Sequence, residues 1–70
     1  MSELNPEVNR VANALRYAME LEIDGYNFYM EKSKEFSNPT TAKLFEQLAN
    51  EEMAHYAFLK NEVNTYVENP

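Results

Sequence analysis

Three side chains in this sequence have the types and spacing to hold a transition-metal ion: Glu22, Glu52 and His55. In Glu52-Met53-Ala54-His55 a carboxylate and an imidazole stand three residues apart, so on a helix they project from one face. Carboxylate oxygen with imidazole nitrogen suits iron, manganese or zinc better than calcium, which takes oxygen donors. All three residues fall in the apolar seam of their helices, where Leu or Ile would be expected. An unpaired buried carboxylate is costly or takes up a proton, so such positions need a compensating partner. His55 is the chain's one histidine. Alone it would read as a core or surface imidazole; the Glu at i−3 and the seam position favour a ligand.

Neighbouring carboxylates compete for these roles. Glu20 lies two residues before Glu22 but on another face, and it has no Tyr seven residues on, as Glu22 has in Tyr29. Glu51 is off the seam that Glu52 shares with His55 and reads as solvated. Tyr29 points inward one heptad past Glu22, either hydrogen-bonding a liganding carboxylate or packing in the core. Glu62, Asp24 and Glu20 could form an acidic entry route for cations, but solvated faces explain them more simply. No catalytic group beyond the metal ligands is expected.

The elements that position these residues are helices. Asn5-Pro6 and Asn38-Pro39 each place an N-cap residue before a Pro at the first helical position. Between these marks the residues are mostly good helix formers without strand-like alternation. Helix 1 is expected at about residues 6–35 and helix 2 at about 39–67, in a single domain over 1–70. Phe36-Ser37-Asn38 is then a tight turn, and short connections favour antiparallel neighbours. Val8, Val11, Leu15, Ala18, Gly25, Tyr29 and Phe36 line the seam of helix 1; Phe45, Leu48, Leu59 and Tyr66 line that of helix 2. A turn centred near Ser37 makes level residues those whose numbers sum to about 74, because both helices rise equally. Glu22 and Glu52 meet that condition.

The core and the ligand set point to the same partner. Two helices each about 45 Å long cannot cover one another's apolar faces on every inward side, and a second copy of the hairpin is the simplest cover. A di-iron carboxylate site in a four-helix bundle takes one Glu from each of two helices and a Glu-x-x-His from each of the other two. One hairpin supplies half of that. The fold expected is therefore all-α, an antiparallel helical hairpin that dimerises into a four-helix bundle, with two metal ions at the interface.

The stretch from Glu22 through Gly25, Tyr26, Phe28 and Tyr29, followed by Glu52-Met53-Ala54-His55, resembles the ferritin-like superfamily, the rubrerythrins especially. Leu44-Phe45-Glu46-Gln47-Leu48-Ala49-Asn50-Glu51-Glu52 is similar to the rubrerythrin second helix. In length and in having one hairpin the chain is more similar to encapsulated ferritins, whose subunits build the iron site between two chains. The resemblance covers about residues 12–66. It implies an iron cofactor, two ions per dimer, and ferroxidase or peroxide-reducing activity, with Glu52 bridging and Glu22 and His55 terminal. Manganese or zinc suits the same donors. Rubrerythrins carry two hairpins and usually a Cys-rich electron-transfer domain, which this chain lacks. The C-terminal targeting peptide of encapsulated ferritins is also missing after Glu68-Asn69-Pro70, so delivery into a protein shell is unsupported. With no electron-transfer site in view, iron oxidation is favoured over a peroxidase cycle.

The totals agree. Twelve acidic against six basic residues give a net charge of −6, which repels nucleic-acid phosphates and anionic lipid and attracts cations. There are no cysteines, which excludes disulfides and thiolate metal sites and fits a reducing cytoplasm. No signal peptide and no membrane-spanning apolar run is visible. The alternatives are a metal-binding protein without turnover and a purely structural four-helix interaction module.

Overall fold

The structure, a computed structural model, describes residues 6–68. The N-cap expected at Asn5 and the closing Pro70 lie outside the described residues. Two long helices, α1 (Pro6–Glu35) and α2 (Pro39–Val63), form a hairpin, and a single π-turn, α3 (Asn64–Glu68), prolongs the second. Among the described residues there is no strand.

The start of α2 has a complete physical account. Asn38 is extended, with φ −70° and ψ 119°, and its side-chain oxygen accepts from Thr40 N at 2.9 Å and Thr41 N at 3.1 Å. Two of the orphan N–H groups of the first turn are thus satisfied. The Asn38 carbonyl accepts from Ala42 N at 2.9 Å and opens the helical ladder. Pro39, which has no N–H to leave unpaired, sits where its fixed φ suits the first turn. At the far end the α-helical ladder stops at Val63, short of the expected residue 67. Asn64, Thr65 and Tyr66 are weaker helix formers than the Lys and Glu residues before them, and here the turn widens to the π form.

Register is set near the turn by aromatic rings. Phe36 stacks on Phe45 with centroids 5.6 Å apart, and Tyr29 stacks on the same ring at 6.3 Å. Such pairs add to ordinary burial through their ring geometry. Tyr29 and Phe45 obey the same level condition as Glu22 and Glu52, so the clamp that fixes one pair fixes the other about two turns away.

The core itself is thin. Among the described residues the buried apolar ones are Ala12, Ala49 and Val63, and no large side chain is fully buried. Ser33 is buried too, its hydroxyl donating to the Met30 carbonyl at 2.6 Å. Small residues at the contact let the helices lie close but bring little apolar area out of water. Tyr17 and Phe58 stay more than 60% exposed, at 62% and 63%. The molecule is a rod, 56 × 15 × 14 Å, with a radius of gyration of 16.1 Å against about 11 Å for a compact domain of this length.

The Asn38 cap carries a prediction. Asn38→Ala should lower unfolding stability by about 1 kcal/mol with the denaturant slope unchanged, read from urea melts followed by circular dichroism. A loss near zero would mean that Pro39 and the ring clamp set the start of α2 without the cap.

Candidate metal centre

Glu22 sits in the middle of α1, and Glu52 and His55 in the middle of α2, far from the fraying ends of both helices. The hairpin brings the three together: one ligand atom from each lies within 4.8 Å of the others. His55 Nδ1 is 3.2 Å from Glu22 Oε2, so with its proton on Nδ1 the ring donates to that carboxylate. Glu22 and Glu52 are part-buried and His55 is exposed, with 60% of its side chain open. The imidazole therefore stands at the rim, with the two carboxylates beneath it.

The electrostatics are those of a site short of positive charge. Hydrogen bonding with Glu22 pushes the Glu52 carboxyl above the ordinary glutamate value. Burial, the Glu22 charge and, more weakly, Glu51 push the same way, while His55 opposes them. Two carboxylates this close resist ionising together, which raises the pH at which Glu52 gives up its proton. Among the described residues no Lys or Arg pairs with either; the one Lys ion pair joins Lys32 to Glu35 at 2.9 Å, next to the turn.

The donor set fits a divalent transition ion. Three donors bound to one ion at about 2.1 Å lie about 3.0 to 3.6 Å from one another, so the cluster, whose ligand atoms lie within 4.8 Å of each other, closes on an ion by movements on the order of an ångström. Flexible glutamate ends can supply them. The set is oxygen-rich with one imidazole, the composition expected for iron or manganese.

The remaining candidates fall elsewhere. The Tyr29 ring packs edge-on to Phe28 at 5.5 Å and stacks on Phe45. Among the described residues its hydroxyl bonds no carboxylate of the cluster, so within one chain its place is in the ring clamp. Glu20, Asp24 and Glu51 are exposed and Glu62 is half-buried, and none belongs to the metal-capable group. Sequence reasoning placed Gly25 in the apolar seam and missed its relation to Glu52, whose carboxylate lies directly against it. The available signal was the chain's one glycine, set a turn beyond Glu22 in an otherwise glycine-free helix.

Residues 13–69 match the family model for rubrerythrin. The chain belongs to the rubrerythrin family. Searches of curated proteins and of solved structures gave no match. Rubrerythrin domains point to di-iron carboxylate chemistry and usually bind iron, and the matched span contains Glu22, Glu52 and His55. The three residues are carried by helix faces and not by loops. No helix among the described residues is long and apolar enough to cross a membrane.

The raised Glu52 value makes a signed prediction for the metal-free protein. The folded chain holds a proton on Glu52 to higher pH than the unfolded chain does. The stability this contributes is full below the ordinary glutamate pKa and is lost as pH climbs through the raised folded value. Melting temperatures taken from about pH 4 to about pH 8 should fall more for the parent than for Glu52→Gln. Parallel curves would show that folding does not raise the Glu52 value.

Proposed function

We propose that this protein is a di-iron carboxylate protein that binds iron between two copies of the hairpin and oxidises Fe(II) with O₂ or peroxide. The observation that carries it is the cluster of Glu22, Glu52 and His55: two adjacent carboxylates with an imidazole at the open rim and, among the described residues, no Lys or Arg ion pair to neutralise them. A divalent cation supplies that missing charge. Glu22 and His55 would hold ions terminally and Glu52, nearest the second carboxylate, would bridge. Fe(II) is the substrate: it gives up an electron, and O₂ or H₂O₂ accepts. Oxygen-rich ligation favours the ferric product over the ferrous substrate and so drives the oxidation.

The second copy is supported by what one copy leaves undone. Leu21 and Phe28 on α1, and Leu44 and Phe58 on α2, are all at least half exposed. By helical spacing Leu44 and Phe58 share the flank of α2 that carries His55. A partner seated there covers apolar side chains and brings its own Glu22, Glu52 and His55 to the same place. The area agrees. The chain exposes 5330 Å², about 800 Å² more than a compact chain of its mass, which is what one partner buries in a standard interface. Two hairpins related by a two-fold axis complete the set of four Glu and two His that a di-iron bundle uses. Further association of dimers would use other surfaces.

Rapid mixing of the anaerobic Fe(II)-loaded protein with O₂, followed by absorbance, tests the activity. The parent should oxidise Fe(II) well above the buffer rate, and Glu52→Ala should fall to that rate while keeping its helical circular dichroism. Oxidation by the variant at the parent's rate would end the proposal. Tight Fe(II) binding without oxidation would leave a metal-binding protein without turnover.

A further inference from the structure

The space in which the Glu52 carboxylate sits is made by the missing side chain of Gly25. Gly25 is the chain's one glycine, in the middle of the 30-residue α1. Glycine is among the poorest helix formers, and its freedom to take positive φ is unused, because no described glycine has a positive φ. The reason for a glycine must therefore be spatial. A Cβ at position 25 would lie 2.9 Å from Glu52 Oε2, 3.2 Å from its Cδ and 3.4 Å from its Cγ. All three atoms belong to one side chain, and that side chain reaches across from the other helix.

We propose that Gly25 is a positioning residue for the metal centre: a notch in α1, one turn beyond Glu22, that lets the Glu52 carboxylate lie beside Glu22 and His55. The assignment rests on the metal centre proposed above and adds a residue that has no donor atom. The nearest atoms a methyl group there would meet all belong to the flexible Glu52 side chain, whose end can swing aside. The fold tolerates that movement. The centre does not, because the carboxylate that moves is the one whose oxygen must stay within reach of both other donors. Stability and metal affinity should therefore respond in opposite directions to the same methyl, which a glycine kept for helix packing would not do.

Co(II) serves as the probe, titrated anaerobically into the purified full chain and followed by its visible absorption, with light scattering for mass and thermal melts of the metal-free protein. Gly25→Ala should melt at or above the parent temperature, keep the parent's mass, and bind Co(II) at least about tenfold more weakly, the size of effect seen when a ligand's support is disturbed. Asn27→Ala, an exchange on an exposed position of the same helix, should leave Co(II) affinity unchanged. Shortening the ligand provides the second arm. On a Glu52→Asp background the retracted carboxylate loses the 2.9 Å contact with the methyl, so Gly25→Ala should cost less further affinity than in the parent, a non-additivity that marks direct contact.

Equal losses on both backgrounds would place the effect of the methyl elsewhere and overturn the assignment. So would a lower melting temperature or a changed mass in Gly25→Ala, or Co(II) affinity equal to the parent's. If the parent itself binds no Co(II), the metal centre falls and the assignment with it. If the parent binds and Gly25→Ala binds equally well, only the role of Gly25 falls.

Discussion

The organising constraint in this molecule is the meeting of two carboxylates, Glu22 and Glu52, across the hairpin where apolar side chains would otherwise stand. Their proximity is unfavourable when both are charged, and among the described residues only His55 answers them. In the metal-free chain the conflict shows as a Glu52 carboxyl that gives up its proton at higher pH than an ordinary glutamate. A bound cation relieves it by supplying charge. In the function proposed above, proton and cation would compete for the same oxygens, which would couple the affinity of the site to pH.

Everything else serves to hold that meeting in place. The Asn38 cap and Pro39 fix where α2 begins, and the Tyr29, Phe45 and Phe36 rings fix how far it slides along α1. Gly25 then makes room at the level of the site. What these devices do not supply is bulk stability. A core of Ala12, Ala49 and Val63 buries little, and several large apolar side chains stay in water. Chains this short usually add an external staple; a second copy and a metal are two such staples, and in the function proposed above they would act at one place.

The hairpin was legible in the sequence because its signals are local. Two Asn-Pro steps and a 3-4 apolar repeat mark the helices, and equal rise about a turn at Ser37 is enough to bring Glu22 level with Glu52. The cluster followed from the interruption of the seam by three ionisable residues. Other features were not legible, for physical reasons. Tyr29 at a heptad from Glu22 fits both a hydrogen-bonding and a packing role, and the choice turns on a ring contact with Phe45. Gly25 reads from sequence as a seam residue, since only the path of the Glu52 side chain reveals what a Cβ would meet. The end of α2 differs because weak helix propensity in Asn64, Thr65 and Tyr66 is decided by small energies that a repeat pattern does not carry.

Self-association and metal capture are thus one event in this account, and sedimentation equilibrium with metal analysis on the same samples tests that coupling most directly. Adding Mn(II) or anaerobic Fe(II) should shift the chain toward a dimer that holds about two ions, with tighter association than in chelator, because a ligand that binds only the assembled state stabilises it by mass action. A metal-loaded species with the mass of one hairpin, or a dimer whose association ignores the metal, would contradict it.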